Sequence, residues 1–290
     1  MPLFTPISHL SSDGLSLYAR DYPGTGGPAR LPVLCLHGLT RNSLDFDELA
    51  PRLAAMRRRV IAIDVRGRGH SARDPNPDNY ALPVYANDVT TLMHALGIAR
   101  AVFVGTSMGG LITMTLAARR LDLIAAAVLN DVGPVLSQRG LARIAGYAGK
   151  QPTFANWDDA ACHVRDINAC AFPANPDSEW TKWAKRAFEQ QDDGQLCPRY
   201  DPGIANSLRS GRLSTTSLAL RMAFRKLTRE RPTLLVRGEL SDLLEPRQAA
   251  WMRGAAPGMA YAEVAGVGHA PMLTEPDAFE AICAFLARVP

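Results

Sequence analysis

The sequence predicts an α/β fold in which a doubly wound, mostly parallel sheet is interrupted by a helical insertion. Three observations support this prediction: continuous apolar runs, helical segments that alternate with them, and a long stretch in which the alternation stops. Apolar and polar residues do not alternate within these runs, and such continuous runs are typical of strands covered on both faces. They lie at 33–36, 60–63, 102–104, 125–129 and 234–236. Alternating helical patterns at about 45–56, 83–96 and 108–120 complete a doubly wound arrangement.

The flanking segments fit the same sheet. Asp13-Gly14 is a strong turn signal and predicts a hairpin near the amino terminus. Pro83 suits the first turn of the second helix, and Gly97 suits its carboxyl cap. Beyond the insertion we expect a helix over about 246–255, a strand near 261–264 and a last helix over about 277–288.

The alternation stops between residues 134 and 231, where amphipathic helical patterns and many aromatic residues replace strands. The clearest pattern spaces its apolar residues as one helix face: Trp180, Trp183, Ala184, Ala187 and Phe188. We therefore predict one core domain, formed by residues 1–133 and 232–290, with a helical cap at 134–231.

Composition narrows the function classes. The chain has 290 residues, 47% of them hydrophobic and 21% charged, which is ordinary for a globular protein. Its net charge is +4, and the basic residues are scattered along the chain, so no nucleic-acid partner is expected. Five cysteines without Cys-x-x-Cys spacing argue against a disulfide framework or a zinc site. Residues 1–10 carry no secretory signal pattern, and no apolar run is long enough to span a bilayer. A cytoplasmic protein without a membrane partner is the expectation; the oligomeric state stays open.

The strongest motif follows the third apolar run. Gly105-Thr106-Ser107-Met108-Gly109 has the form of a nucleophile elbow, a sharp strand-to-helix turn that exposes a serine hydroxyl. Gly105 and Gly109 provide the space that such a turn requires. We expect the amide of Met108, at the start of the helix, to point toward the oxyanion that forms at a carbonyl attacked by Ser107.

A serine nucleophile needs a base, and the sequence offers six histidines. His269 follows the last strand in a Gly-rich loop at the carboxyl edge of the sheet, and it is the predicted base. His37 also follows a strand, but we expect it to shape its loop. Gly38 then lets the backbone approach, and the amide of Leu39 becomes a second oxyanion donor.

The orienting carboxylate has two candidates. Asp242 follows the strand at 234–236 and precedes His269, and it is the favoured acid. Asp131 ends the strand before the insertion and is the alternative. Glu239 is a third, weaker candidate.

Taken together, these motifs resemble the α/β-hydrolase fold superfamily. The matching pieces occur in the family's order: Leu36-His37-Gly38-Leu39, the 64–71 segment DVRGRGHS, the elbow at 105–110, the 237–242 segment RGELSD, and Gly268-His269-Ala270-Pro271. The resemblance implies a triad of Ser107, Asp242 and His269, an oxyanion hole of Leu39 and Met108, a cap, and no metal or cofactor. One departure is that Asp242 lies four residues beyond Gly238, where the family usually has three, which keeps Asp131 open.

The implied function is a serine hydrolase that cleaves a small apolar or aromatic ester through an acyl-enzyme. A carbon-carbon bond hydrolase or enol-lactonase is an alternative, and a small-molecule receptor of low turnover is an alternative from another class. Aromatic residues of the insertion could line an acyl pocket or form the cap's own core. Arg143, Arg165 or Arg186 could meet a substrate carboxylate.

Overall fold

The computed structural model describes residues 3–209 and 217–290. An eight-stranded sheet runs through it in the order β1-β2-β4-β3-β5-β6-β9-β10, and a separate two-stranded sheet pairs β7 with β8. The strands are β1 (Thr5–Leu10), β2 (Ser16–Tyr22), β3 (Arg30–Leu36), β4 (Arg58–Asp64), β5 (Ala101–Thr106), β6 (Ile124–Asn130), β7 (Phe188–Gln190), β8 (Leu196–Pro198), β9 (Thr233–Gly238) and β10 (Ala260–Val264).

Helices connect these strands. They are α1 (Leu49–Ala54), α2 (Leu82–Ala95), α3 (Met108–Arg119), α4 (Gln138–Tyr147), α5 (Trp157–Asn168), α6 (Asp177–Ala187), α7 (Asn206–Arg209), α8 (Leu218–Glu230), α9 (Pro246–Ala255) and α10 (Pro276–Ala287). Pro83 lies in the first turn of α2, and Gly97 follows that helix with a φ of +65°. A glycine accepts this left-handed conformation without steric cost, so the helix ends where the sequence predicts.

The mostly parallel α/β sheet is confirmed. β1 and β2 form the antiparallel hairpin expected at Asp13-Gly14, where Gly14 has a φ of +84°. β2 also pairs antiparallel with β4, and the neighbours from β4 to β10 pair in parallel. The carboxyl ends of β3, β5, β6 and β9 therefore meet at one edge of the sheet, where ligand sites of such folds lie.

Each face of the sheet carries its own apolar layer. On one face, α2, α3, α8 and α9 pack against side chains such as Leu34 and Phe103. On the other face, α1 and α10 pack against Val33 and Val104. Burial on both faces explains why these strands read as continuous apolar runs.

The segment between β6 and β9 contains the predicted helices together with the short β7–β8 hairpin. Strands of three residues are too short to leave a pattern in the sequence. α5, α6 and this hairpin enclose a separate apolar cluster that contains Trp180 and Trp183. In contrast, α8 packs on α3 and buries Phe224 and Leu227 in the core layer. The predicted cap range of 134–231 thus ends with a helix that packs on the core, and its residues 210–216 lie outside the described residues.

Over the part of the chain that the structure describes, none of the helices combines the length and apolar character needed to cross a membrane.

Candidate active site

Ser107 occupies a strained turn between β5 and α3. Its φ of +52° is uncommon for a residue with a side chain and costs conformational energy. A Cβ on Gly105 would lie 2.5 Å from the carbonyl carbon of Gly109, and a Cβ on Gly109 would collide with the backbone of Leu36. Only glycine fits at either position, so the elbow has the steric form that the motif predicts.

His269 lies in the loop after β10, with its side chain turned toward the elbow. Its Nε2 is 2.9 Å from the Ser107 hydroxyl oxygen, within hydrogen-bond distance. Its Nδ1 is 2.7 Å from Oδ2 of Asp131. Because a carboxylate can only accept hydrogen bonds, Nδ1 carries the ring proton in this arrangement. Nε2 is then free to accept the hydroxyl proton of the serine.

Of the two candidate carboxylates, the structure places Asp131, and not the favoured Asp242, against His269. Asp131 follows β6 directly and its side chain is fully buried. Its Oδ1 accepts the backbone N–H of Gly238 at 3.0 Å, and its Oδ2 also accepts the hydroxyl of Ser241 at 2.6 Å. Three donors therefore fix this carboxylate in one orientation toward the imidazole.

Asp242 has a different partner. The guanidinium of Arg143, on α4, donates to both of its oxygens, with Nε at 2.5 Å and Nη2 at 2.9 Å. Burial alone would raise the pKa of Asp242, but the hydrogen bonds and charge of Arg143 outweigh it and bring the pKa below its ordinary value. Asp242 is thus held as an anion by an arginine from the insertion, and this bidentate pair explains why it does not reach the histidine.

Asn130 is a site residue that the sequence did not reveal. Its Nδ2 donates to the Thr106 hydroxyl at 3.0 Å and to the carbonyl of Pro271 at 2.7 Å. Separately, the backbone carbonyl of Asn130 accepts the backbone N–H of Ser107 at 3.0 Å. One side chain therefore joins the nucleophile turn to the loop of His269, and its place beside Asp131 is the only hint that the sequence offers.

The two predicted oxyanion donors border the same space as Ser107. Leu39 and Met108 line cavities that also reach the serine. Within residues 3–209 and 217–290, their backbone N–H groups donate to no protein acceptor. Two such donors beside a nucleophile are available to an incoming oxyanion.

His37 braces the loop that carries Leu39. Its Nδ1 lies 2.7 Å from the carbonyl of Gly38, and its Nε2 accepts the backbone N–H of Val65 at 3.1 Å. Burial lowers the pKa of His37 to about 4, so the ring is neutral near pH 7 and both nitrogens are used within the protein. These contacts support the shaping role expected for His37. A Cβ at Gly38 would lie 3.8 Å from the Ser107 Cβ, so this backbone runs close to the serine.

Two buried arginines follow β4 and differ in their partners. Arg66 forms ion pairs with Asp13, Asp74 and Asp88. Arg68 has no carboxylate partner among the described residues; its Nε donates to the carbonyl of Leu39 at 3.0 Å and its Nη2 lies 3.4 Å from the Met108 sulfur. Arg68 therefore touches both residues of the candidate oxyanion hole.

Two cavities open at Ser107, with volumes of about 420 and 320 Å³. These volumes lie in the range of small-molecule sites. Phe172, Trp183 and Phe188 belong to the insertion's apolar cluster and also line the larger cavity. These three side chains therefore belong to the insertion's own apolar core and also form part of the cavity wall.

Several other polar groups line neither of the cavities at Ser107. His70 is exposed and packs its ring against Tyr18. Arg186 pairs with Glu48, and Arg165 lies 3.8 Å from Asp177. The described residues contain no group of three or more His, Cys, Asp or Glu side chains placed to hold a metal ion.

Comparisons with known proteins identify the family. The model of the alpha/beta hydrolase fold family matches residues 32–276. The chain is 34% identical over 267 residues to a 3-hydroxybutyrate-oligomer hydrolase from Cupriavidus necator, covering 90% of each protein. It is also 29% identical to a 2-(acetamidomethylene)succinate hydrolase from Mesorhizobium japonicum, covering 82% of this chain and 81% of that protein.

A solved structure of an alpha/beta hydrolase from Novosphingobium aromaticivorans superposes with a TM-score of 0.93 at 40% identity, covering 100% of both chains. A structure from Rickettsia typhi described as a putative hydrolase gives a TM-score of 0.86 at 25% identity, again over 100% of both chains. The protein therefore belongs to the alpha/beta hydrolase fold family and is a hydrolase.

Proposed function

We propose that this hydrolase cleaves a small carboxylic ester by nucleophilic catalysis, with Ser107 as nucleophile, His269 as base and Asp131 as the orienting acid. The observation that carries the proposal is the continuous chain of hydrogen bonds from Asp131 through His269 to the Ser107 hydroxyl, 2.7 and 2.9 Å long. Asp131 takes the role for which the sequence favoured Asp242.

The reaction follows from these contacts. His269 Nε2 takes the hydroxyl proton as Ser107 Oγ attacks the ester carbonyl, and Asp131 stabilises the imidazolium that forms. The amides of Leu39 and Met108 bind the tetrahedral oxyanion, each contributing about 3 kcal/mol of transition-state stabilisation. The imidazolium then protonates the leaving alcohol, and the acyl-enzyme remains. Water, deprotonated by His269, attacks that ester; collapse of the second intermediate releases the acid and returns the proton to Ser107.

Two further observations support a small ester as the substrate. The relative from Cupriavidus necator is named for 3-hydroxybutyrate oligomers, whose units are joined by ester bonds. Residues of the 134–231 segment, such as Tyr147, His163 and Trp183, form part of the wall of the larger cavity, which supports a cap role for this segment. A cap limits the size of the substrate and removes water from the reacting bond.

The test is hydrolysis of p-nitrophenyl butyrate and of a 3-hydroxybutyrate dimer by the wild type and by Ser107→Ala. We expect Ser107→Ala to lose at least about 10³-fold in kcat, since the nucleophile is removed, and to lose labelling by a fluorophosphonate. An unchanged melting temperature is the control for folding. Turnover that persists in Ser107→Ala would contradict the proposal. Ligand binding without any turnover by the wild type would favour the receptor alternative.

A further inference from the structure

Two differently lined cavities meet at the nucleophile. We name each cavity after a residue that lines it and does not line the other. They are the His269 chamber, of about 420 Å³, and the Met108 chamber, of about 320 Å³. Leu39, Ser107 and Ile144 line both. A substrate bound at Ser107 therefore has two separate spaces for its two halves.

The position of the base, His269, decides which half of the substrate occupies which chamber. In an acyl transfer, the histidine gives its proton to the leaving oxygen, so this oxygen must face His269 Nε2. His269 lines one chamber alone, and Met108, whose amide is a candidate oxyanion donor, lines the other alone. The leaving alcohol thus belongs to the His269 chamber, and the acyl group belongs to the Met108 chamber.

The Met108 chamber has an aliphatic wall. Besides Leu39, leucines of five separate segments of the chain line it: Leu82, Leu111, Leu136, Leu141, Leu208 and Leu243. None of the described residues that line it is charged. Its two tyrosine hydroxyls are already bonded, Tyr80 to Asp201 and Tyr85 to Arg68. Such a wall favours an aliphatic acyl chain and offers little to a polar one.

The His269 chamber has a mixed wall and, unlike the Met108 chamber, contains charged side chains. Its charged lining residues are Arg41, Lys150 and Asp45, two cations and one anion, so one positive charge is in excess. Arg41 uses Nε and Nη2 to hold Asp45. Within the described part of the chain its Nη1 has no acceptor, which leaves a charged donor at the chamber wall. A carboxylate is the group that this donor recognises best.

We propose that the preferred substrate is the ester of an aliphatic acid with a hydroxy acid, its acyl chain in the Met108 chamber and the leaving group's carboxylate near Arg41. This inference rests on the proposed function, because it assumes attack by Ser107. The cleaved bond is the acyl carbon to alkoxy oxygen bond, and the products are a carboxylic acid and a free hydroxy acid.

Two substrate pairs separate the chambers. The first pair is O-butyryl-3-hydroxybutyrate and its methyl ester, which share the acyl group and differ in the charge of the leaving group; butyrate release is measured. The second pair is p-nitrophenyl butyrate and p-nitrophenyl octanoate, which share the leaving group and differ in the acyl chain. The ratio of kcat/KM within each pair is the readout, so a uniform loss of activity cancels.

We expect the wild type to prefer the free carboxylate about tenfold or more, as befits a hydrogen bond to a charged group. Arg41→Gln should bring this ratio near one and leave the acyl-chain ratio unchanged. Arg186→Gln is the matched control, because Arg186 also pairs with a single carboxylate but lines neither chamber. It should leave both ratios unchanged.

Leu141→Phe adds volume to the Met108 chamber and should lower the octanoate-to-butyrate ratio about tenfold, the order of effect of a few methylene-sized contacts. The carboxylate ratio should not move. Leu82→Phe, from α2, repeats the test should Leu141→Phe not fold. Leu218→Phe, on an exposed side chain outside both chambers, is the control.

The opposite pattern, in which Arg41→Gln alters the acyl-chain ratio and Leu141→Phe alters the carboxylate ratio, would overturn the assignment. Ratios that respond to neither variant, in an enzyme whose turnover still requires Ser107, would overturn it while the proposed function stands. No turnover of any of the four esters by the wild type would overturn both.

Discussion

Asp131 and Asp242 both follow strands of the central sheet at its carboxyl edge, yet their surroundings differ. Asp131 is fully buried and accepts only from neutral backbone and hydroxyl donors besides the histidine. Asp242 is 15% exposed and binds both arms of an arginine. The difference teaches that a carboxylate near the edge of the sheet can act on the histidine only where no stronger donor has already engaged it.

Asp131 also shares an unusual backbone conformation with Ser107. Asp131 has a φ of +54°, as Ser107 has one of +52°, so both residues hold their side chains on turns that most residues avoid. Such strain persists only where the surrounding structure imposes it, and it concentrates at functional sites.

The sharpest test replaces Asp131. Asp131→Asn should lower kcat on p-nitrophenyl butyrate by about 10⁴-fold, since the neutral amide neither fixes the imidazole tautomer nor stabilises the imidazolium. Steady-state kinetics on the purified variant, with circular dichroism to check its fold, measures the effect. A loss of less than tenfold would remove Asp131 from the triad.

Ser241→Ala removes one of the donors that orient Asp131. We expect a fall in kcat of about tenfold with an unchanged KM, the effect of about 1.4 kcal/mol on the transition state. Ser241→Thr keeps the hydroxyl and should restore most of the activity. Equal losses in both variants would show that the hydroxyl does not act through Asp131.

Asp242→Asn is the matched control for Asp131→Asn. We expect less than a threefold change in kcat, because Asp242 contacts Arg143 and not His269. The free energy of unfolding should fall by about 1 to 2 kcal/mol, since a charge-assisted hydrogen bond is weakened. Urea denaturation measures the loss. A kcat lower by several orders of magnitude would return the acid role to Asp242.

The smallest expected effect is a pH dependence of the free energy of unfolding that the Asp242–Arg143 ion pair contributes. The pKa of Asp242 is lower in the folded protein than its ordinary value near 3.9. Its stabilising contribution is therefore complete above about pH 4 and disappears as the pH falls through the folded pKa. The stability difference between the wild type and Asp242→Asn should stay constant from pH 5 to 7 and shrink at pH 3. A difference that grows at pH 3 would contradict the ion pair.

Much of the molecule was predictable because the signals are local. Apolar runs indicated the buried strands, Pro83 and Gly97 marked the ends of α2, and the two glycines around Ser107 fixed the elbow, since each depends only on backbone sterics and burial. The β7–β8 hairpin and the packing of α8 on the core escaped prediction, because short strands leave no periodicity and one apolar helix face can pack on either a cap or a core.

The choice between the two aspartates required the tertiary structure. Both precede His269 and follow Ser107 in the chain, so the order of residues could not separate them. What separates them is Arg143, which the folding of the 134–231 segment brings to Asp242, together with Ser241 and Gly238, which turn toward Asp131. The sequence determined the sheet, the elbow at Ser107 and the place of His269 after the last strand; the tertiary structure determined which carboxylate lies against His269, because hydrogen-bond partners distant in sequence compete for each aspartate.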